Sequence, residues 1–293
     1  MFVAFAIIYV VWGSTYLAIR FAIETLPPFL MASARFFIAG AMLYAWSRVF
    51  GGAARPTPAQ WRATAVIGVL LLLGGNGLVV WAEYRVPSGI AALIIGIEPC
   101  IVVLLDWLRP SGVRPTGRVV AGLVLGLAGL VWLVGPDAIL GGGRVDFLGA
   151  VALVLASLSW AVGSIYSRHA SMPSPFLASG MQMLAGGAAL LLLGVALGEP
   201  AATAWAAVSA KSVLAWIYLI IFGSIVGFST YIWLLRVTTL ARASTYAYVN
   251  PVVAVLLGWL LADEPLTLRT LVAAAVIVGG VVLITLTPQE AAR

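Results

Sequence analysis

Trp12-Gly13-Ser14-Thr15-Tyr16-Leu17-Ala18-Ile19-Arg20 is answered later in the chain by Trp160-Ala161-Val162-Gly163-Ser164-Ile165-Tyr166-Ser167-Arg168. The echo continues in order: Trp81 with Trp233, Pro99 with Pro251, Trp107 with Trp259, and Ala128-Gly129 with Gly279-Gly280. These pairs stand 148 to 152 residues apart. An apolar chain that repeats itself over such an interval reads as a duplicated membrane unit, and transporters are foremost among the folds built that way.

Composition sets the solvent. Hydrophobic residues make up 63% of the 293 residues and charged residues 9%, against about 25% charged in a soluble domain. Windows of about 20 apolar residues, enough to cross roughly 30 Å of hydrocarbon, can be read at 2–20, 29–48, 63–82, 88–108, 117–134, 147–167, 176–197, 213–235, 243–262 and 269–287. The breaks fall at turn-like stretches such as Leu26-Pro27-Pro28 and Arg109-Pro110-Ser111-Gly112. The first window starts at Met1 without a basic leader and has a repeat partner at 147–167, so it reads as a mature helix and not a cleaved signal. The net charge of +6 comes from basic residues spread singly between apolar runs. That pattern suits topology determinants and argues against a nucleic-acid partner. The lone Cys100 excludes a disulfide framework.

Orientation follows from the loops. With the N-terminus cytoplasmic, Arg48, Arg55, Arg62, Arg109, Arg114, Arg118, Arg168, Arg236, Arg242 and Arg293 fall inside, and Arg20, Arg85, Arg144, Lys211 and Arg269 outside. That excess favours both termini in the cytoplasm. Five helices is an odd number, so a second unit must enter from the opposite face. The expected fold is therefore an all-α membrane protein of ten transmembrane helices. Residues 1–135 (helices 1–5) and 147–293 (helices 6–10) form two inverted repeats around a central cavity, joined by a Gly-rich linker at 136–146.

Several short motifs then become recognisable: Trp12-Gly13-Ser14-Thr15, Arg35-Phe36, Glu98-Pro99, Asn250-Pro251 and Asp263-Glu264-Pro265. Together, and in this order, they resemble the ten-helix EamA-type transporters of the drug/metabolite transporter superfamily, most closely those that export aromatic amino acids. The resemblance covers nearly the whole chain. It implies a multi-pass protein of the bacterial inner membrane that exports small metabolites, often amino acids, from a central cavity.

Glu98 lies near the middle of helix 4, where a charge normally faces protein or water. It either binds a substrate amine or carries a proton, or it repairs the hydrogen bond that Pro99 removes. Its repeat equivalent, Asn250, keeps a polar group without charge, which favours a functional role for Glu98. Arg35 either grips a substrate carboxylate, neutralises Glu98 or snorkels to the interface; Gln182 is its equivalent in the second half. Trp12, Thr15 and Tyr16 share a helix face, matched by Trp160 and Ser164, and two symmetry-related indoles suit an aromatic or apolar solute. Tyr246 shares a face with Asn250, whereas Tyr248 points away. Asn76 is a further candidate contact, although small polar residues also hold membrane helices together. Trp81, Trp233, Pro99 and Pro251 are candidate gating positions. Gly122-x-x-x-Gly126 with Gly129, and Gly279-Gly280, signal close packing of helices 5 and 10, which buttress the repeats or meet another copy as a homodimer; a monomer is sufficient for function.

No nucleophile–base set, metal-ligand spacing or nucleotide-binding loop is visible, so neither an enzyme nor a cofactor or metal is expected. No polar filter or charge ring marks a channel. The expected partners are a small-molecule substrate and lipid. The reading that follows is a facilitative amino-acid exporter working by alternating access. A proton-coupled multidrug exporter is the alternative.

Overall fold

The computed structural model describes residues 1–86, 91, 94–110, 112, 114–134, 146–262 and 267–286. The linker at 136–145, Arg144, Asp263-Glu264-Pro265 and the side chain of Trp259 lie outside them. The described chain is helical, with no strand among the described residues. Six helices are long and apolar enough to cross a membrane: α1 (Phe2–Ala22), α2 (Pro28–Val49), α3 (Pro58–Ala82), α6 (Phe147–His169), α7 (Pro175–Ala196) and α8 (Ala210–Val237). Shorter apolar helices are α4 (Glu98–Leu108), α5 (Gly117–Val134), α9 (Tyr246–Ala262) and α10 (Leu268–Thr285), and single helical turns lie at Glu199–Ala202 and Leu240–Ala243.

Local chemistry starts these helices where it can. Pro28 and Pro175 occupy first-turn positions, where a missing N–H costs nothing. Asp146 accepts from the Gly149 N–H at 2.6 Å to cap α6. Two helices start earlier than their hydropathy windows. Thr57 and Gln60 form a reciprocal capping box that begins α3 at Pro58, and Ser209 accepts from the Ser212 N–H to begin α8 at Ala210. Arg62 accordingly sits inside α3 and not in a loop. A longer-range cap ties the halves together: the Phe29 and Leu30 N–H groups at the start of α2 donate to the Glu199 carboxylate at 3.0 and 2.8 Å.

The packing has a regular plan. α2 lies along α7, and α5 along α10. α1 packs on α8 and α9, while α6 packs on α3 and α4; α2 touches α8, and α7 touches α3. Exchanging each helix for the one five places later maps this list onto itself. Both α3 and α8 contain a π-helical stretch, Val69–Gly77 and Leu219–Phe228, separated by the same interval as the sequence echo. Such wide turns loosen the regular hydrogen-bond ladder and often mark functional sites.

One core runs through the middle, with Ile8, Phe36, Leu71, Leu72, Leu190 and Tyr231 fully or nearly fully buried. A second, of Leu130, Tyr248, Ile277 and Ile284, joins α5, α9 and α10. There the glycines allow close approach: a Cβ on Gly122 would stand 2.7 Å from the Gly280 carbonyl oxygen. Outward faces remain apolar, with Val124, Leu192, Leu214 and Leu260 exposed. Such surfaces require a lipid solvent.

Candidate functional site

A cavity lies among α1, α2, α3, α4, α6, α8 and α9. Its floor is an aromatic cluster. The Trp12 ring lies 5.6 Å from Trp160, 5.1 Å from Tyr231 and 4.7 Å from Tyr246, centroid to centroid. Edge-on and tilted contacts of this kind are the favourable ones for aromatic pairs. Each tryptophan rests on a glycine at the far end of a π-helical stretch. A Cβ on Gly227 would stand 2.6 Å from Trp12 Nε1, and one on Gly75 would stand 2.6 Å from Trp160 Cε3. Trp12 Nε1 donates to the Gly223 carbonyl at 3.2 Å. Trp160 Nε1 donates to the Tyr231 hydroxyl at 3.0 Å, and Ser164 Oγ is hydrogen-bonded to that hydroxyl at 2.6 Å.

From this floor the cavity runs towards the C-terminal ends of α1 and α3, where Ile19 and Val79 line it. The opposite end is filled. Tyr231, which occupies in α8 the repeat position of Val79 in α3, is 1% exposed. Below it Phe5 packs against Tyr9, and the Tyr9 hydroxyl bonds Thr245 Oγ1 at 2.6 Å.

Two buried groups of opposite sign share the cavity wall. Arg35 is 4% exposed, so it does not snorkel. Its Nε donates to Ser224 Oγ at 2.7 Å in the π-helical stretch of α8. Glu98 is 2% exposed and begins α4 just after a turn at Gly96-Ile97. Among the described residues, neither of its carboxylate oxygens has a hydrogen-bond partner and it forms no ion pair with Arg35. Pro99 occupies the second position of α4, where helical N–H groups are unpaired in any case. Glu98 therefore does not serve as a local repair for Pro99.

Thr15, Tyr16, Asn76 and Asn250 also line the cavity; the Asn250 amide stands against the Tyr16 hydroxyl, and the Asn76 and Asn250 side-chain oxygens lack hydrogen-bond partners among the described residues. Ser164 stands one layer behind Trp160 and reaches the site only through Tyr231. Gln182 is completely buried in α7, where its backbone carbonyl faces Gly68 of α3, and it is not part of the cavity lining. Of the four gating positions, Pro99 and Pro251 are buried beside Glu98 and Asn250. Trp81 packs near Leu153 under the Arg85 guanidinium, at 4.5 Å. Trp233 is 37% exposed and faces outward. Tyr248 is buried against α5, its hydroxyl donating to the Leu123 carbonyl.

Sequence reasoning missed Tyr231, Phe36, Phe228, Ser157 and Ser224. Comparing the repeats does not flag Tyr231, because its partner is the non-aromatic Val79. Outside the spans, Glu83 follows α3 near Arg20; burial pushes its carboxyl up to about 8 against the opposing pull of that arginine.

The model of the EamA-like transporter family matches residues 1–135 and 147–286. The chain belongs to the EamA-like transporter family. This EamA-like protein is 39% identical to the uncharacterized inner membrane transporter YedA of Escherichia coli strain K12, over 98% of the chain and 90% of the relative. It is 28% identical to the protein PecM of Dickeya dadantii, over 94% and 88%. A solved crystal structure shares its fold, with a TM-score of 0.78 at 24% identity, covering 97% of this chain and 96% of that one. It is a multi-pass inner-membrane transporter of bacterial type, and not an enzyme.

Proposed function

We propose that this transporter exports small neutral amino acids, aromatic ones included, as a facilitative carrier working by alternating access. One observation carries the reading: buried Arg35 and Glu98 share a central cavity without pairing with each other, and an aromatic plug closes that cavity at one end only. Leaving two buried charges unpaired is costly, and a solute carrying both signs offsets that cost.

In this reading residues 1–135 and 147–293 are two five-helix units crossing the membrane ten times in inverted sense, with both termini cytoplasmic and the 136–146 stretch as linker. The exchangeable packing list, the paired π-helical stretches and the two family-model matches support it. The plug around Tyr231 and Thr245 then seals the cytoplasmic end, and the cavity faces outward. Rocking the units would reverse the asymmetry, with the π-helical stretches taking up the bend. Gly122 and Gly126 of α5 meet Gly280 of α10, while Gly279 looks into open space; the close pair buttresses the bundle, and in this reading a single copy suffices.

The alternative is a proton-coupled multidrug exporter, favoured by the unpartnered Glu98 carboxylate alone. Counterflow in proteoliposomes separates the two, using labelled phenylalanine, tryptophan, threonine and a cationic dye with and without a pH gradient. Saturable amino-acid counterflow that ignores the gradient supports the proposal. Dye movement that collapses without the gradient, with no amino-acid signal, overturns it.

A further inference from the structure

We infer that the cavity grips a dipolar solute at two built poles: a primary ammonium among Glu98, Asn76 and Asn250, and a carboxylate on Arg35 held in place by Ser224. This deepens the carrier reading and rests on it.

The first pole follows from which atoms lack partners. Among the described residues, the buried side-chain atoms of the cavity wall without a hydrogen bond are Glu98 Oε1 and Oε2, Asn76 Oδ1, Asn250 Oδ1 and Ser157 Oγ. All are oxygens: the two amide oxygens can only accept, and the Glu98 carboxylate accepts at both oxygens once a bound cation holds it ionised. Glu98, Asn250 and Ser157 are 2%, 2% and 3% exposed. Buried acceptors are seldom left unpaired in proteins. They match a cation rich in N–H donors; a primary ammonium brings three, while a quaternary ammonium brings none. Glu98 and Asn250 stand 152 residues apart, at equivalent places in the repeats, each before a proline. One copy supplies the charge and the other only an acceptor, so the pole holds a single positive charge.

The second pole is the guanidinium. Arg35 spends Nε on Ser224, its one hydrogen bond among the described residues. The bond fixes the plane of a fork suited to a carboxylate. Gly223 leaves room for it: a Cβ there would stand 2.8 Å from the Arg35 Nη2. Trp12, Trp160 and Phe228 supply apolar wall for the rest of the solute.

The test is competition against labelled phenylalanine counterflow in proteoliposomes. The competitors are phenethylamine, which lacks the carboxylate, 3-phenylpropionate, which lacks the amine, and N,N,N-trimethylphenylalanine, which lacks N–H donors. Each is expected to compete about tenfold or more worse than phenylalanine, the loss from one charged hydrogen-bonding partner. Glu98→Gln is expected to weaken phenylalanine by a similar factor and leave 3-phenylpropionate unchanged. Arg35→Gln is expected to weaken phenylalanine and 3-phenylpropionate but not phenethylamine. Should Arg35→Gln fail to fold, Ser224→Ala keeps the charge and is expected to weaken the two carboxylates selectively, by a few-fold. Equal competition by all compounds in the wild type, or equal loss of all of them in both variants, overturns the two-pole site and leaves the carrier reading standing. Binding that requires sodium and ignores the amine also overturns it. Absence of saturable counterflow for phenylalanine, tryptophan and threonine alike overturns the amino-acid carrier reading itself.

Discussion

Gly227→Ala should damage this protein far more than its size suggests. The new methyl would stand 2.6 Å from Trp12 Nε1 and 2.9 Å from Cδ1. Both atoms belong to a rigid indole held on three sides by Trp160, Tyr231 and Tyr246. The ring must move, and it loses its bond to the Gly223 carbonyl. Overpacking of this kind costs about 1–3 kcal/mol, and the lost hydrogen bond about 0.5–1.5 kcal/mol. Better helix propensity returns only about 0.5–1 kcal/mol. The net loss of about 0.5–4 kcal/mol corresponds to a fall of roughly 1–8 °C in apparent Tm for the purified protein in detergent. Gly279→Ala is the internal control, since its added methyl meets nothing within 4 Å. It should hold or slightly raise the Tm. Counterflow by Gly227→Ala should fall as well, because Trp12 lines the cavity. Equal melting of the two variants would refute the claim that the indole is seated on that glycine.

Three further outcomes are expected. Glu199→Ala removes the cap on α2 and should cost about 0.5–2 kcal/mol, read as a lower Tm with the KM of counterflow unchanged. Glu83 is held protonated in the fold up to about pH 8, against an ordinary value of 4.5. Its contribution is full below the lower value and drains as the pH rises towards the higher one, so Tm should fall across that window and Glu83→Gln should flatten the profile. Gly122→Leu forces α5 away from α10, where Gly280 and Ile284 leave no room; a marked loss of thermal stability is expected, and an unchanged Tm would contradict the close-packed pair.

The helical plan was legible because two signals agree: the apolar windows and the echo of Trp12 in Trp160. The helix starts at Pro58 and Ala210 were less so, since capping chemistry outweighs hydropathy at a helix end. Within the site, charge and symmetry pointed to Glu98, Arg35 and the two indoles, all of which line the cavity. Depth along the helix could not be read the same way. Tyr231 and Trp233 lie two residues apart in α8, a rotation of about 200°, and only the packed bundle shows that the tyrosine faces the floor while the tryptophan faces out. Gln182 illustrates the converse: its repeat partner Arg35 lines the cavity, but Gln182 itself is fully buried in α7 and takes no part in the lining. Likewise the hydrogen bond from Arg35 to Ser224 has no sequence signal, since it joins residues 189 apart.

Alternating access is tested most directly by asking from which side the cavity can be reached. Ala156 lines it without a polar role, so Ala156→Cys in a Cys100→Ser background gives a small reporter. Membrane-impermeant thiol reagents are applied to right-side-out and inside-out vesicles, with and without saturating phenylalanine. The expected result is labelling chiefly from the outer face, with phenylalanine changing the rate. Equal labelling from both faces, indifferent to the amino acid, would describe a continuous pore and contradict the carrier.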